Sequence, residues 1–268
     1  MKSTMRAAAV ATAAVCGAVV LAPAASAASE TPVAAEAQTI GVYRVSDATF
    51  YLRNSNTPGL ADITVQYGAS FDVPLAGDWN GDGIDTIGVY RPNNQTFYLR
   101  DSNTRGNADA IARFGNSGDV PLAGDWDGNG TTTIGVYRPV NRTFYLRNAN
   151  TTGPASVTFA WGNAADVPVA GDWNGDGTTT IGVYRVPEVA FYLRNTNSNG
   201  PADGRVVYGA PGDTPIIGNW DGDPYDTIST YRIPNATFYL RNSNTTGDAQ
   251  LTVQYGGPTD LPLAGNWS

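Results

Sequence analysis

Four short stretches carry oxygen side chains at alternate positions. The first reads Asp78-Trp-Asn80-Gly-Asp82-Gly. Its copies begin at Asp125, with Asp127 and Asn129; at Asp172, with Asn174 and Asp176; and at Asn219, with Asp221 and Asp223. Oxygens at turn positions one, three and five converge on one point, a Gly at position six permits the sharp bend, and a backbone carbonyl follows at position seven. That pattern suits a hard cation. Asp78, Asn80, Asp82, Asp125, Asp127, Asn129, Asp172, Asn174, Asp176, Asp221 and Asp223 are therefore candidate calcium ligands. The loop is not an EF-hand, because position twelve is Val89, Val136, Val183 or Thr230 and never Glu. A second reading stands beside the first: Asp and Asn also form Asx-turns that tie down their own backbone without an ion. Arg100, with its equivalents Arg53, Arg147, Arg194 and Arg241, falls at the same end of the unit and is placed to neutralise such a turn.

Missing residue types exclude other chemistry. Residues 1–27 read as a secretory signal peptide: Lys2 and Arg6, an apolar run, then Ala25-Ser26-Ala27. Beyond it the chain has no His, Lys or Cys, so it offers no Ser-His-Asp triad, thiol nucleophile, Schiff base or zinc site. It keeps 14 Arg against 24 acids, a net charge of −10. Such a surface disfavours nucleic acid and anionic membranes. No later run is long and apolar enough to span a bilayer. The expected product is secreted, extracellular and monomeric, with residues 28–38 as a flexible linker.

The candidate ligands must be positioned by a repeat. Trp79, Trp126, Trp173, Trp220 and Trp267 follow one another at 47 residues, as do Tyr43, Tyr90, Tyr137, Tyr184 and Tyr231. Within one unit, residues 74–79, 86–91, 96–100 and 108–115 read as strands separated by turns at 80–85, 93–95 and 103–106. Near-continuous apolar runs imply that both sheet faces are buried. Gly88, Gly135 and Gly182, with Ser229 in the last unit, mark a place where only a small residue fits. The expected fold is all-β: a five-bladed β-propeller of four-stranded blades over residues 39–268. The chain enters this region at a second strand and leaves it after a first strand, so 262–267 should complete the blade of 39–68 and close the ring. The other blades are 74–115, 121–162, 168–209 and 215–256. An open solenoid would leave two raw edges.

The acidic turns, at one phase between the same two strands, resemble the FG-GAP and VCBS repeats, the calcium-bearing propeller repeats of the integrin-α type. The resemblance runs from Thr39 to Ser268. It implies calcium in the turns, and it implies an acid at position nine. Here that position is Thr86, Thr133, Thr180 or Thr227, and Pro224 replaces the sixth-position Gly of the last turn. Both departures weaken a cation site.

Three further columns repeat. Tyr67, Phe114, Trp161, Tyr208 and Tyr255 are either sugar platforms or blade-to-blade packing. Arg44, Arg91, Arg138, Arg185 and Arg232, with Asp72, Asp119, Asp166, Asp213 and Asp260, form either structural ties or shallow polar pockets for glycan hydroxyls. Equal blades without His, Cys or Lys suggest a non-enzymatic binding or adhesion module whose weak sites, directed at an extracellular glycan or cell-surface ligand, add by avidity. The alternatives are a carbohydrate-active enzyme using paired carboxylates, or a structural spacer. Asp47, Asp101, Asp109, Asp203, Asp226, Asp248 and Glu188 stand outside the strict columns, and the pattern places them in turns or outer loops rather than at the centre.

Overall fold

A computed structural model describes residues 36–268. The expected signal peptide 1–27 and linker residues 28–35 lie outside the described residues. Twenty strands form five four-stranded antiparallel sheets. Blade one joins β20 (Leu261–Gly265) to β1 (Thr39–Arg44), β2 (Thr49–Leu52) and β3 (Ile63–Gln66). Blade two is β4 (Val73–Gly77), β5 (Thr86–Arg91), β6 (Thr96–Leu99) and β7 (Ala110–Arg113). Blade three is β8 (Val120–Gly124), β9 (Thr133–Arg138), β10 (Thr143–Leu146) and β11 (Val157–Ala160). Blade four is β12 (Val167–Gly171), β13 (Thr180–Arg185), β14 (Ala190–Leu193) and β15 (Gly204–Val207). Blade five is β16 (Thr214–Gly218), β17 (Thr227–Arg232), β18 (Thr237–Leu240) and β19 (Leu251–Gln254).

The inner strands β4, β8, β12, β16 and β20 neighbour one another in that order, and β20 neighbours β4. This is a closed five-bladed β-propeller. Register shows how the chain ends meet. Thr39 faces Gly265 and Tyr43 faces Leu261, as Thr86 faces Gly77 and Tyr90 faces Val73 within blade two. The last strand thus occupies in blade one the place that β4 occupies in its own blade.

Packing follows from blades buried on both faces. In every blade a second-strand Tyr meets a third-strand Phe, with ring centroids 4.5 to 4.7 Å apart and tilted. These ten rings are among the most deeply buried side chains. The Gly88 column has a direct cause: a Cβ there would lie 2.8 Å from Leu99 Cδ2 and 3.1 Å from Trp79 Cζ2. The hairpin between second and third strands turns through a left-handed residue in each blade: Ala48, Gln95, Arg142, Val189 and Ala236, with φ between 50° and 57°. In the last two blades short 3-10 turns, Val186–Glu188 and Ile233–Asn235, lead into it.

Three strands of this unit are shorter than expected, β6 by Arg100 alone. β4 stops at Gly77 because the N–H of Asp78 bonds to Thr132 of the next blade instead of continuing the ladder. β7 starts at Ala110 because Arg100 holds the preceding loop in place.

Candidate functional site

The four acidic turns lie where expected, between first and second strands. In the first, Asp78 Oδ1 accepts from the N–H of Gly81 (2.7 Å) and Asp82 (3.1 Å), and Oδ2 accepts from Gly83 N–H (2.7 Å). Asp82 Oδ1 accepts from Ile84 N–H (3.0 Å) and Oδ2 from the Asn80 amide (2.9 Å). These bonds hold the Asp82 carboxyl below its ordinary pKa, the Asn80 contribution being largest. Asp125 and Asp172 repeat the pattern on Gly128, Asn129 and Gly130, and on Gly175, Asp176 and Gly177. Asn174 and Asp176 repeat the amide–carboxylate pair at 2.8 Å. In the last turn Asn219 accepts from Gly222 N–H, and its own amide donates to the Asp223 carbonyl. Asp221 accepts from Asp223 N–H (3.4 Å), and Asp223 accepts from Tyr225 N–H (2.8 Å).

The structure therefore brings Asp78, Asn80 and Asp82 together and spends most of their oxygens, and those of Asp125, Asn129, Asp172 and Asp176, on backbone N–H groups and the Asn amides, whereas Asp127 accepts no hydrogen bond among the described residues. The position-nine Thr86 is buried, and its hydroxyl bonds to Arg100 O (2.7 Å) and Gly77 O (3.4 Å), away from the turn. Among the described residues no three acidic side chains gather at one point. Calcium in these turns would share Asp78 and Asp82, or their copies, with the N–H groups already bound there.

One expectation is corrected. Arg100 does not neutralise the acidic turn. Its guanidinium closes the loop between third and fourth strands, donating to Thr104 O (3.3 Å), Asn107 O (2.6 Å) and Asp109 (2.8 Å). Arg147 and Arg194 do the same with Thr151 and Pro154, and with Ser198 and Pro201. Gly106, Gly153 and Gly200 leave room for that guanidinium; a Cβ on Gly153 would lie 2.6 Å from Arg147 Nη2.

A second ring of polar groups lies at the propeller axis. Gln38, expected to end the flexible linker but tied into the ring, and Asp85, Thr132, Thr179 and Asp226 precede the five second strands at the 47-residue interval. Each donates its N–H to the carbonyl of the residue heading the neighbouring blade's first turn: Asn219, Asn266, Asp78, Asp125 and Asp172 respectively. Each side-chain oxygen accepts the N–H of that same residue, at 2.8 to 3.1 Å. Five reciprocal latches thus join consecutive blades. Asp226, expected in a turn away from the centre, is at the centre, and Asp85 is its counterpart.

The Arg and Asp columns are bidentate ties. Arg91 donates to both oxygens of Asp72 at 2.8 Å, and Arg138 to both of Asp119 at 2.8 Å. Arg44–Asp260, Arg185–Asp166 and Arg232–Asp213 match them. The Asp side chains are 1 to 2% exposed, whereas the Arg side chains keep 20 to 35%. Each Arg also lies over a third-strand Tyr, for example Tyr98 at 4.7 Å and Tyr145 at 4.3 Å.

Beside these pairs, grooves open between blades. One, of about 400 Å³, is lined by Gln66, Tyr67 and Gly68 of blade one and by Val89, Arg91, Tyr98 and residues 106–108 of blade two. Another, of about 360 Å³, has Arg113, Phe114, Gly115, Val136, Arg138, Tyr145, Gly153 and Ala155 at corresponding positions. Both are within the usual range for small-ligand pockets. Of the aromatic column, Tyr67, Phe114, Tyr208 and Tyr255 are buried between blades, which favours packing; Trp161 is half-buried and donates to Gly200 O at 2.9 Å. No helix among the described residues is long and apolar enough to cross a membrane.

No protein-family model, curated protein or solved structure matches this chain.

Proposed function

We propose that the protein is a secreted, non-enzymatic binding or adhesion module that uses its inter-blade grooves as equivalent weak sites for an extracellular glycan or cell-surface ligand. The observation carrying this reading is the pair of grooves with like walls, one blade apart in the ring. Each wall offers a partly exposed guanidinium, a Tyr hydroxyl and the apolar side of a Val. Those groups suit a sugar ring, which needs donors and acceptors at its edge and an apolar contact on its face. The Arg is already oriented by its Asp and its Tyr, so little freedom is lost on binding. Several such sites on one rigid ring would engage a polymeric ligand with avidity well above that of any single groove.

Calcium belongs to this proposal as a weak addition to the three turns that keep Gly at position six, held by Asp78 and Asp82, by Asp125 with Asp127, and by Asp172 and Asp176. Its chemistry there would be structural, a positive charge between carboxylates on a loop that already has its shape.

The test is calorimetric titration of the full chain with soluble cell-wall and plant polysaccharides, in calcium and in chelator. The expected result is binding with several sites per chain, reduced in affinity by Gln66→Ala and Arg113→Ala on the groove rims. One site per chain with release of reducing ends would support the enzyme instead. Absence of binding across the panel would leave a spacer.

A further inference from the structure

The axis carries a feature that the groove reading does not use. Small residues of the inner strands, among them Ala76, Ala123, Ala170 and Ala264, leave a cavity of about 170 Å³ lined also by Gln38, Asp85, Thr132, Thr179 and Asp226. Two carboxylates face this space from blades on either side of the one bearing Gln38. Both are half-buried and line the cavity wall.

The hydrogen bonds around the cavity do not balance. Asp85 Oδ2 accepts from Asn266 N–H (2.8 Å) and from the Gln38 amide (3.3 Å), while Oδ1 has no partner among the described residues. Asp226 Oδ2 accepts from Asp172 N–H (2.8 Å), and among the described residues its Oδ1 also has none. Thr132 and Thr179 accept from Asp78 and Asp125 N–H, and neither hydroxyl hydrogen finds an acceptor among the described residues. Among the described residues no Arg reaches either carboxylate; every ion pair lies elsewhere. Two half-buried negative charges facing one cavity without a counter-charge are costly.

We propose that the cavity is a cation site, holding one calcium ion on the propeller axis between Asp85 Oδ1 and Asp226 Oδ1, with the Thr132 and Thr179 oxygens and water completing its shell. Two carboxylates balance one divalent charge. All the donors are oxygens, as a hard cation requires, and calcium accepts irregular shells of six to eight. At roughly 30 Å³ per water the space holds an ion with a few waters. The ion bridges blades two and five directly and reaches blades three and four through the threonines, so it ties the ring at its centre. These residues precede the second strands and are distinct from the turn positions Asp78, Asn80 and Asp82 with their copies.

The experiment is thermal unfolding and calcium titration of the full chain at pH 7.5, after chelation. With calcium at a hundredfold excess over its Kd, the midpoint should rise by about 5–10 °C. Calorimetry should show one tight site per chain. Asp85→Asn and Asp226→Asn each keep an oxygen for the latch and remove one charge. Both should abolish the rise, and in chelator neither should unfold below the parent. The turn variant Asp82→Asn/Asp176→Asn should retain the rise. An unchanged midpoint in calcium would overturn the proposal, as would a response lost only in the turn variant or a titration giving three equal sites. If the axial variants fail to fold, the stoichiometry on the parent chain decides.

Discussion

Asn219 stands where the other turns have Asp because Pro224, five residues on, has no N–H to offer. Asp78, Asp125 and Asp172 each spend Oδ2 on the N–H of a Gly at that place, at 2.7 Å. With Pro224 there, a carboxylate oxygen would face nothing, and an amide that donates to the Asp223 carbonyl replaces it. The two substitutions therefore form one unit. Asn219→Asp alone should destabilise by about 1–2 kcal/mol, since it sets a carboxylate oxygen against a carbonyl. Adding Pro224→Gly should recover most of that loss, with a coupling of at least 0.5 kcal/mol in a urea-unfolding double-mutant cycle.

The bidentate ties predict a similar reversal. Asp119 is 1% exposed and is paired with Arg138, whose side chain keeps 20% exposure. Removing the guanidinium strands an enclosed carboxylate, a change that costs about 3–5 kcal/mol when both partners are buried; the partial exposure of Arg138 lowers this to about 2–3 kcal/mol. Arg138→Ala should show that loss in chemical denaturation. Arg138→Ala/Asp119→Asn should regain part of it, because the amide is far cheaper to leave enclosed than the charge.

Much of the fold was legible because it repeats. The second strand matches its expected bounds in every blade, since Thr-Ile-Gly-Val-Tyr-Arg or a close variant recurs without a shift. The closure was legible because Trp267 holds the phase of Trp79. The axial ring was not legible for the opposite reason: its members are Gln38, Asp85, Thr132, Thr179 and Asp226, and all they share is a side-chain oxygen at one place. A search for identical residues passes over a column defined by hydrogen-bond acceptance. Arg100 was misplaced because strand order gives the end of the blade but not the direction of a long side chain, which here folds back onto Thr104 and Asn107.

The axial carboxylates also set a pH dependence. Burial is the leading cause that pushes both Asp85 and Asp226 up from 3.8 to about 6; N–H bonds from Asn266 and Asp172 oppose it in part. A folded-state pKa above the unfolded one means that the folded chain binds more protons between pH 4 and 6. Stability from these groups is therefore present below about pH 4 and is lost as pH rises through 6, by about 2–3 kcal/mol per group in chelator. Asp226→Asn should be more stable than the parent at pH 8 without calcium. The difference should vanish at pH 4, as read from unfolding midpoints across that range.

Closure by the last strand gives the strongest test of how the ring holds together. β20 supplies the inner strand of blade one, and Asn266 supplies the latch partner of Asp85. Trp267, 3% exposed, packs in the same cluster as Phe50, Leu52 and Ile87, so it joins blade one to blade two. A chain ending at residue 260 would lose all three. It would expose the β1 edge along Thr39–Arg44 and leave β4 and β16 each without one neighbouring inner strand. The remaining sheets would still pair internally, but an opened ring exposes two blade faces built to be buried. The truncated chain should therefore populate a self-associated state by sedimentation and lose the single cooperative unfolding transition expected of the parent. A synthetic peptide of residues 257–268 should restore the monomer. Trp267→Ala in the full chain should cost about 3–5 kcal/mol while preserving the monomer, because the strand, its register and the latch at Asn266 remain.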